Sequence, residues 1–168
     1  TINVSSKAGK GTKTTIVLSF PTATEEQIQS RKEEQSGQIF RNFKGKRILL
    51  AEDNELNAEI AMELLGESGL ETEHVTDGVK CVETLKAKPE DYYDLILMDI
   101  QMPHMDGYEA TKVIRALNDP RSHIPIIAMT ANAFEEDRQR AFEAGMDGHI
   151  AKPISINVLF STLDEVLG

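Results

Sequence analysis

From residue 46 onward, strand-length runs alternate with helical stretches, and this alternation restricts the fold more than any other feature of the chain. The runs are Arg47–Ala51, Glu71–Val75, Leu95–Met98, Ile126–Met129 and His149–Ala151. Leu95–Met98 is apolar throughout, the pattern of a strand covered on both faces. Between the runs lie helix signals. Leu56–Ser68 carries Ile60, Leu64 and Leu65 on one side and Glu59, Glu63 and Glu67 on another, and Gly69 closes it. Asp77 precedes a helix over Val79–Ala87 that stops before Pro89, and Asp106 precedes one over Tyr108–Leu117. Glu135–Ala144 forms a helix ended by Gly145, and Ser155 caps the last one, which runs to Leu167. Five strands alternating with five helices predict an α/β fold, a doubly wound parallel sheet with helices on both faces. Such sheets bind ligands beyond the carboxyl ends of their strands.

The 168 residues suffice for one domain and an appendage. The segment 22–45 has the Glu, Gln, Lys, Ser and Thr content of a linker, within which Thr24 and Gln27 form a capping-box pattern for a short helix through Glu34. The expected organisation is therefore 1–21, a polar linker over 22–45, and one domain over 46–168. Charge divides the same way. Residues 1–45 hold seven Lys/Arg against four Asp/Glu, a balance of +3, and residues 46–168 hold eleven against twenty-four, a balance of −13. So acidic a domain repels nucleic acid and suits a divalent cation or a basic partner. A lone cysteine, Cys81, forms no internal disulfide and fits the cytoplasm. No apolar run reaches the roughly 20 residues of a membrane span. Without an initiator Met or a signal peptide, the chain reads as a piece of a longer protein, whose parent is membrane-anchored or soluble.

The strand ends carry the chemistry. The first strand runs into Glu52-Asp53, the third into Asp99, the fourth into Thr130 and the fifth into Lys152-Pro153. Taken singly, each has an ordinary explanation: Asp53 reads as a helix cap, Thr130 as a loop residue and Lys152 as a solvated cation. Together they place three carboxylates, a hydroxyl and an ammonium on one edge of the sheet. Clustered carboxylates need a cation, and an all-oxygen set favours Mg²⁺, with Mn²⁺ the alternative. Asp99 ends the central strand and is the natural nucleophile toward a phosphoryl group.

The segment LILMDIQMPHMDGYEAT resembles the phosphorylation segment of response-regulator receiver domains. AEDNELN, MTANA and AKPIS are similar to that family's acidic pair, threonine loop and Lys-Pro, in its order and spacing. The resemblance covers 46–168 and implies a flavodoxin-like (βα)5 sheet in the order 2-1-3-4-5. It implies phosphorylation of Asp99, with Thr130 and Lys152 holding the phosphoryl group. Mg²⁺ would be ligated by the side chains of Asp53 and Asp99 and the backbone carbonyl of Gln101, with Glu52 acting through metal-bound water. The Lys152–Pro153 peptide would be cis, Met105-Asp106-Gly107 would form the turn after the acceptor, and Gln101 and Asn132 would tune hydrolysis. This sequence departs from the family at two positions. Glu52 stands where Asp is commoner, and His149 stands where an aromatic residue usually turns inward on activation. His149 is either a switch residue moving toward Thr130 or an edge-strand histidine.

The stretch INVSSKAGKGTKTTIVLSFP resembles the last hairpin of a histidine-kinase ATP-binding domain. Cut from its parent sheet, 1–21 is expected to be largely disordered. The segment is not a P-loop, because Gly11 separates Lys10 from Thr12. No ATP-contacting motif accompanies it, and His74, His104, His123 and His149 all fall within 46–168. The order implies a hybrid histidine kinase. Asp99 would take its phosphoryl group from a phospho-His of the parent and pass it to a His-containing phosphotransfer protein, docked near Asn54–Met62, with no catalysis beyond transfer to and loss from Asp99. The sequence speaks against a degenerate receiver, because every acid and Lys152 is present. A flavin carrier is disfavoured because Glu52-Asp53-Asn54-Glu55 would repel a phosphate. An aspartyl phosphatase is disfavoured because Gln101 stands where its second Asp would be.

Overall fold

The structure, a computed structural model, describes residues 2–7, 9–17, 43–131 and 135–168. It divides into two units, Thr1–Ile39 and Phe40–Gly168. In the first unit, β1 (Ile2–Lys7) and β2 (Gly11–Ile16) pair antiparallel, from Ile2 opposite Ile16 to Lys7 opposite Gly11. Gly9 and Gly11 take positive φ at 76° and 91°, a conformation that leaves glycine the natural residue at the turn. The described residues of this unit form a hairpin. Its full six-residue register and its glycine turn explain why the strands pair, although every described strand residue is exposed. The helix expected over Thr24–Glu34 lies outside the described residues.

The second unit runs β3 (Arg47–Ala51), α1 (Glu55–Glu67), β4 (Glu71–Val75), α2 (Gly78–Ala87), β5 (Leu95–Asp99) and α3 (Gly107–Arg115). A 3-10 turn (Pro120–His123), β6 (Ile126–Thr130), α4 (Glu135–Ala144), β7 (Gly148–Ala151) and α5 (Ile156–Leu167) complete it. All neighbouring strands are parallel, in the order β4-β3-β5-β6-β7, which is 2-1-3-4-5 counted within the unit.

Because successive side chains of a strand point to opposite faces, each apolar strand feeds two cores. Leu49, Ala51, Ile96, Met98, Ile126 and Ala128 meet α2, α3 and α4 through Leu85, Ala110, Ile114 and Ala141. Ile48, Leu50, Leu95, Leu97, Ile127 and Met129 meet α1 and α5 through Ala58, Ala61, Leu65, Leu159 and Leu163. The buried stripe of α1 is thus Ala58, Ala61 and Leu65, whereas Ile60, which apolarity alone assigns to the core, is 46% exposed.

Other local differences have identifiable causes. Asp99 and Thr130 belong to their strands, because the ladder pairs backbone and is blind to side-chain polarity. Helix α3 stops at Arg115, where Ala116 forms the C-cap and the chain turns toward Pro120. Asp77 and Asp106 cap their helices by accepting from Lys80 N–H and Glu109 N–H. Ser155 occupies the N-cap position of α5 without a side-chain capping bond.

Candidate functional site

The first loop after β3 is held from several sides. Glu52 N–H donates to the Val75 carbonyl at 3.0 Å, so the chain follows β4 for one residue past the strand. The Glu52 side chain is buried; Oε1 accepts from Asn57 Nδ2 at 3.0 Å and Oε2 from Lys152 Nζ at 2.5 Å. The cap of α1 is Asn54, which accepts from Asn57 N–H at 3.1 Å. That arrangement relieves Asp53 of a capping role, and its carboxylate is exposed.

Asp99 closes β5 and is 5% exposed. Gln101 N–H donates to its Oδ1 at 3.2 Å, and Lys152 Nζ lies 2.7 Å from its Oδ2. Carboxylate oxygens of Glu52, Asp53 and Asp99 lie within 4.8 Å of one another. Burial pushes the Asp99 carboxyl above its ordinary value; Lys152 pulls it back, and the negative Glu52 adds to the rise. Burial disfavours the Lys152 ammonium, but bonds to Asp99 and Glu52 outweigh it and the net shift is upward. The two shifts agree: one ammonium is served by two carboxylates, while Asp99 has to share it.

The Lys152 backbone N–H donates to the Thr130 carbonyl at 2.7 Å, which ties the β7 exit to the β6 exit. The Lys152–Pro153 peptide is cis. Thr130 is buried at the end of β6, and a cleft of about 190 Å³ opens between it, Asp99, Tyr108 and Arg140. The Arg140 guanidinium rests over the Tyr108 ring at 4.9 Å. On the other side of Lys152, an apolar pocket of about 380 Å³ is lined by Asn57, Ile60, Pro153 and Ile154.

Two glycines allow close packing around the chain that follows Asp99. A Cβ on Gly107 would collide with the Asp99 carbonyl, and one on Gly78 would lie 2.6 Å from the Met105 carbonyl, which already accepts from Gly78 N–H. Met105 and Asp106 precede α3 rather than forming a turn with Gly107, which is the first helical residue. His149 is partly buried on the edge strand β7, opposite Ala128, and the alternation puts it on the same face of the sheet as Thr130. Asn132 lies outside the described residues.

The structure therefore brings Glu52, Asp53, Asp99 and Lys152 together and sets Thr130 on the adjoining cleft. It adds Asn57, which holds Glu52, and His74, whose Nε2 lies 2.7 Å from the Glu52 carbonyl. Asn57 was findable as the first-turn residue nearest the acids. His74 was not, because its role depends on β4 lying beside β3. Three carboxylates against one ammonium, all with oxygen donors, fit a hard divalent cation.

A family model described as the response regulator receiver domain matches residues 48–164. The chain belongs to this family. Hybrid signal transduction histidine kinase B of Dictyostelium discoideum is 40% identical over 136 residues, which cover 75% of the chain and 7% of the kinase. The polar-differentiation response regulator DivK of Brucella ovis is 38% identical over 123 residues, 73% of the chain and 97% of DivK. The chain thus spans a small part of its kinase relatives and nearly the whole of DivK. Among solved structures, the receiver domain of sensor histidine kinase PA1611 from Pseudomonas aeruginosa, with a magnesium ion coordinated in its active-site cleft, is 39% identical. It has a TM-score of 0.67 and covers 74% of this chain and 98% of that one. The complex of the Saccharomyces cerevisiae histidine phosphotransfer protein Ypd1 with the receiver domain of Ssk1 matches at 25% identity and a TM-score of 0.66, covering 74% of this chain and 90% of that one. This receiver is a two-component signalling domain related to those of hybrid histidine kinases. Among the described residues, no helix is long and apolar enough to cross a membrane.

Proposed function

We propose that this receiver takes a phosphoryl group from a phospho-His donor onto Asp99 and passes it to a His-containing phosphotransfer protein. The observation that carries the reading is the Asp99 carboxylate itself, set at a strand end within the acid cluster and 2.7 Å from Lys152 Nζ. In the transfer, an Asp99 oxygen forms a bond to phosphorus as the P–N bond to the donor imidazole breaks, and the imidazole leaves with a proton from solvent. Lys152, kept cationic by its two carboxylates, neutralises phosphoryl oxygen charge. Thr130 donates its hydroxyl to one of those oxygens. Asp53, Asp99 and the Gln101 carbonyl would hold Mg²⁺, or Mn²⁺, with Glu52 reaching it through a water ligand. When bound, the ion supplies charge that offsets the approach of a carboxylate to an anionic phosphoryl group.

Next to Lys152, the apolar pocket lined by Ile60, Pro153 and Ile154 supplies the face on which a phosphotransfer partner would dock, and the Ypd1–Ssk1 complex supports a partner of that class. Residues 1–21 are the end of a kinase ATP-binding domain joined by the 22–45 linker, and the receiver works in the cytoplasm. His149 acts as the mobile residue on the Thr130 face. The deciding experiment supplies Mg²⁺ and a phosphorylated His donor and locates the modification by mass spectrometry after borohydride trapping. Label on Asp99, absent from Asp99→Asn, is the expected result; label elsewhere would overturn the assignment.

A further inference from the structure

Among the described residues, the Asp53 carboxylate makes no hydrogen bond or ion pair, unlike those of Glu52 and Asp99. Its aim at the cluster therefore rests on its backbone. The chain leaves β3 at Ala51, so ladder pairing no longer fixes the Glu52–Asp53 peptide on its carbonyl side. His74, near the end of β4, supplies the missing restraint: its Nε2 lies 2.7 Å from the Glu52 carbonyl oxygen. A carbonyl oxygen only accepts, so Nε2 carries the hydrogen and donates. With Glu52 N–H already bound to the Val75 carbonyl, β4 grips this residue at both its amide and its carbonyl. The oxygen that His74 holds belongs to the very peptide plane from which the Asp53 Cα departs.

We propose that His74 is a positioning residue for the divalent-cation site, fixing the Glu52–Asp53 peptide and through it the direction of the Asp53 carboxylate. The inference rests on the cation site proposed above. It places part of the metal affinity in a side chain one strand away from the acids, where no ligand pattern in the sequence points. Rigid support of this kind is what a small cation with strict geometry requires.

The test follows the Asp53 and Asp99 amides by NMR during Mg²⁺ titration of the full chain. His74→Phe keeps a planar ring without the donor and should weaken Mg²⁺ roughly 3- to 10-fold, the range of one neutral hydrogen bond. His74→Gln, which restores an N–H donor, should return to within about twofold of wild type. In an Asp53→Asn background, His74→Phe should have no further effect, because its influence runs through Asp53. His74→Ala repeats the donor loss should the Phe variant fail to fold. Wild-type affinity in a folded donor-less variant, or an undiminished His74 effect in Asp53→Asn, would overturn the role. Failure of wild type to bind Mg²⁺ would instead overturn the cation site itself.

Discussion

Asp99 and Lys152 carry opposing demands at the scale of single residues. Burial holds the Asp99 carboxyl above its ordinary pKa, so the folded state binds that proton more tightly than the unfolded chain does. Stability from this group is thus fully present below the unfolded carboxylate value of about 3.9 and is lost as pH rises through the higher folded value. Asp99→Asn should therefore raise the melting temperature at pH 7, with the gain shrinking as pH is lowered toward 4, while phosphoryl incorporation vanishes. Thermal melts across that range check the first point and a transfer assay the second. Lys152→Ala should leave Mg²⁺ binding in place, since the ammonium is not a ligand, yet slow phosphotransfer by roughly tenfold or more, the loss of one charge-assisted contact. A parallel Mg²⁺ titration and single-turnover assay separate the two effects. The residues that the structure gathers at this edge, Glu52, Asp53, Asp99, Thr130 and Lys152, were visible in the sequence, because acids, a hydroxyl and a lysine at successive strand ends are a pattern of types and order. Their supports, Asn57 and His74, were hidden: a hydrogen bond across strands has no signature in the spacing of either partner.

At the scale of elements, α3 starts hard against the strand that ends in Asp99. Gly107 is its first residue, and its missing Cβ is what lets the helix meet the Asp99 carbonyl and Ile100. Gly107→Ala should destabilise by about 1–3 kcal/mol, the usual cost of overpacking. Gly66→Ala, in the body of α1 with open space around it, should instead be neutral or gain up to about 1 kcal/mol from helix propensity. Urea denaturation of both variants checks the contrast. At the far end of α3, Arg115 donates to the carbonyls of Gly145, Ser122 and Ile124 and to the Asp147 carboxylate. Arg115→Ala should cost about 2–3 kcal/mol by stranding several acceptors at once, and it should do so without altering Mg²⁺ binding at the opposite edge. Helix capping by Asp77 and Asp106 could be read from local residue order, whereas the α1 stripe could not. Ile60 is as apolar as Leu65, but only the crossing of α1 over β3 decides which of them is covered.

For the whole molecule, the two units and the charge division lead to a further expectation. A fragment beginning at Phe43 should unfold cooperatively and bind Mg²⁺ as the full chain does, since both cores lie within it. Limited proteolysis should cut the full chain between Pro21 and Lys44 and leave residues 46–168 intact; cleavage first within 46–168 would contradict an autonomous receiver. The sequence by itself determined the class of fold, because unbroken apolar strands alternating with helices bury their surfaces only as a parallel sheet covered on both sides. It also determined which residues gather at the carboxyl edge, because parallel strands all end there. Only the tertiary structure decided that Asn54 rather than Asp53 caps α1, which apolar residues of α1 stay in solvent, and that β4 reaches across to hold the Glu52 carbonyl. Those outcomes depend on strand order and helix crossing, which arise from contacts between residues far apart in the chain and leave no local pattern to read.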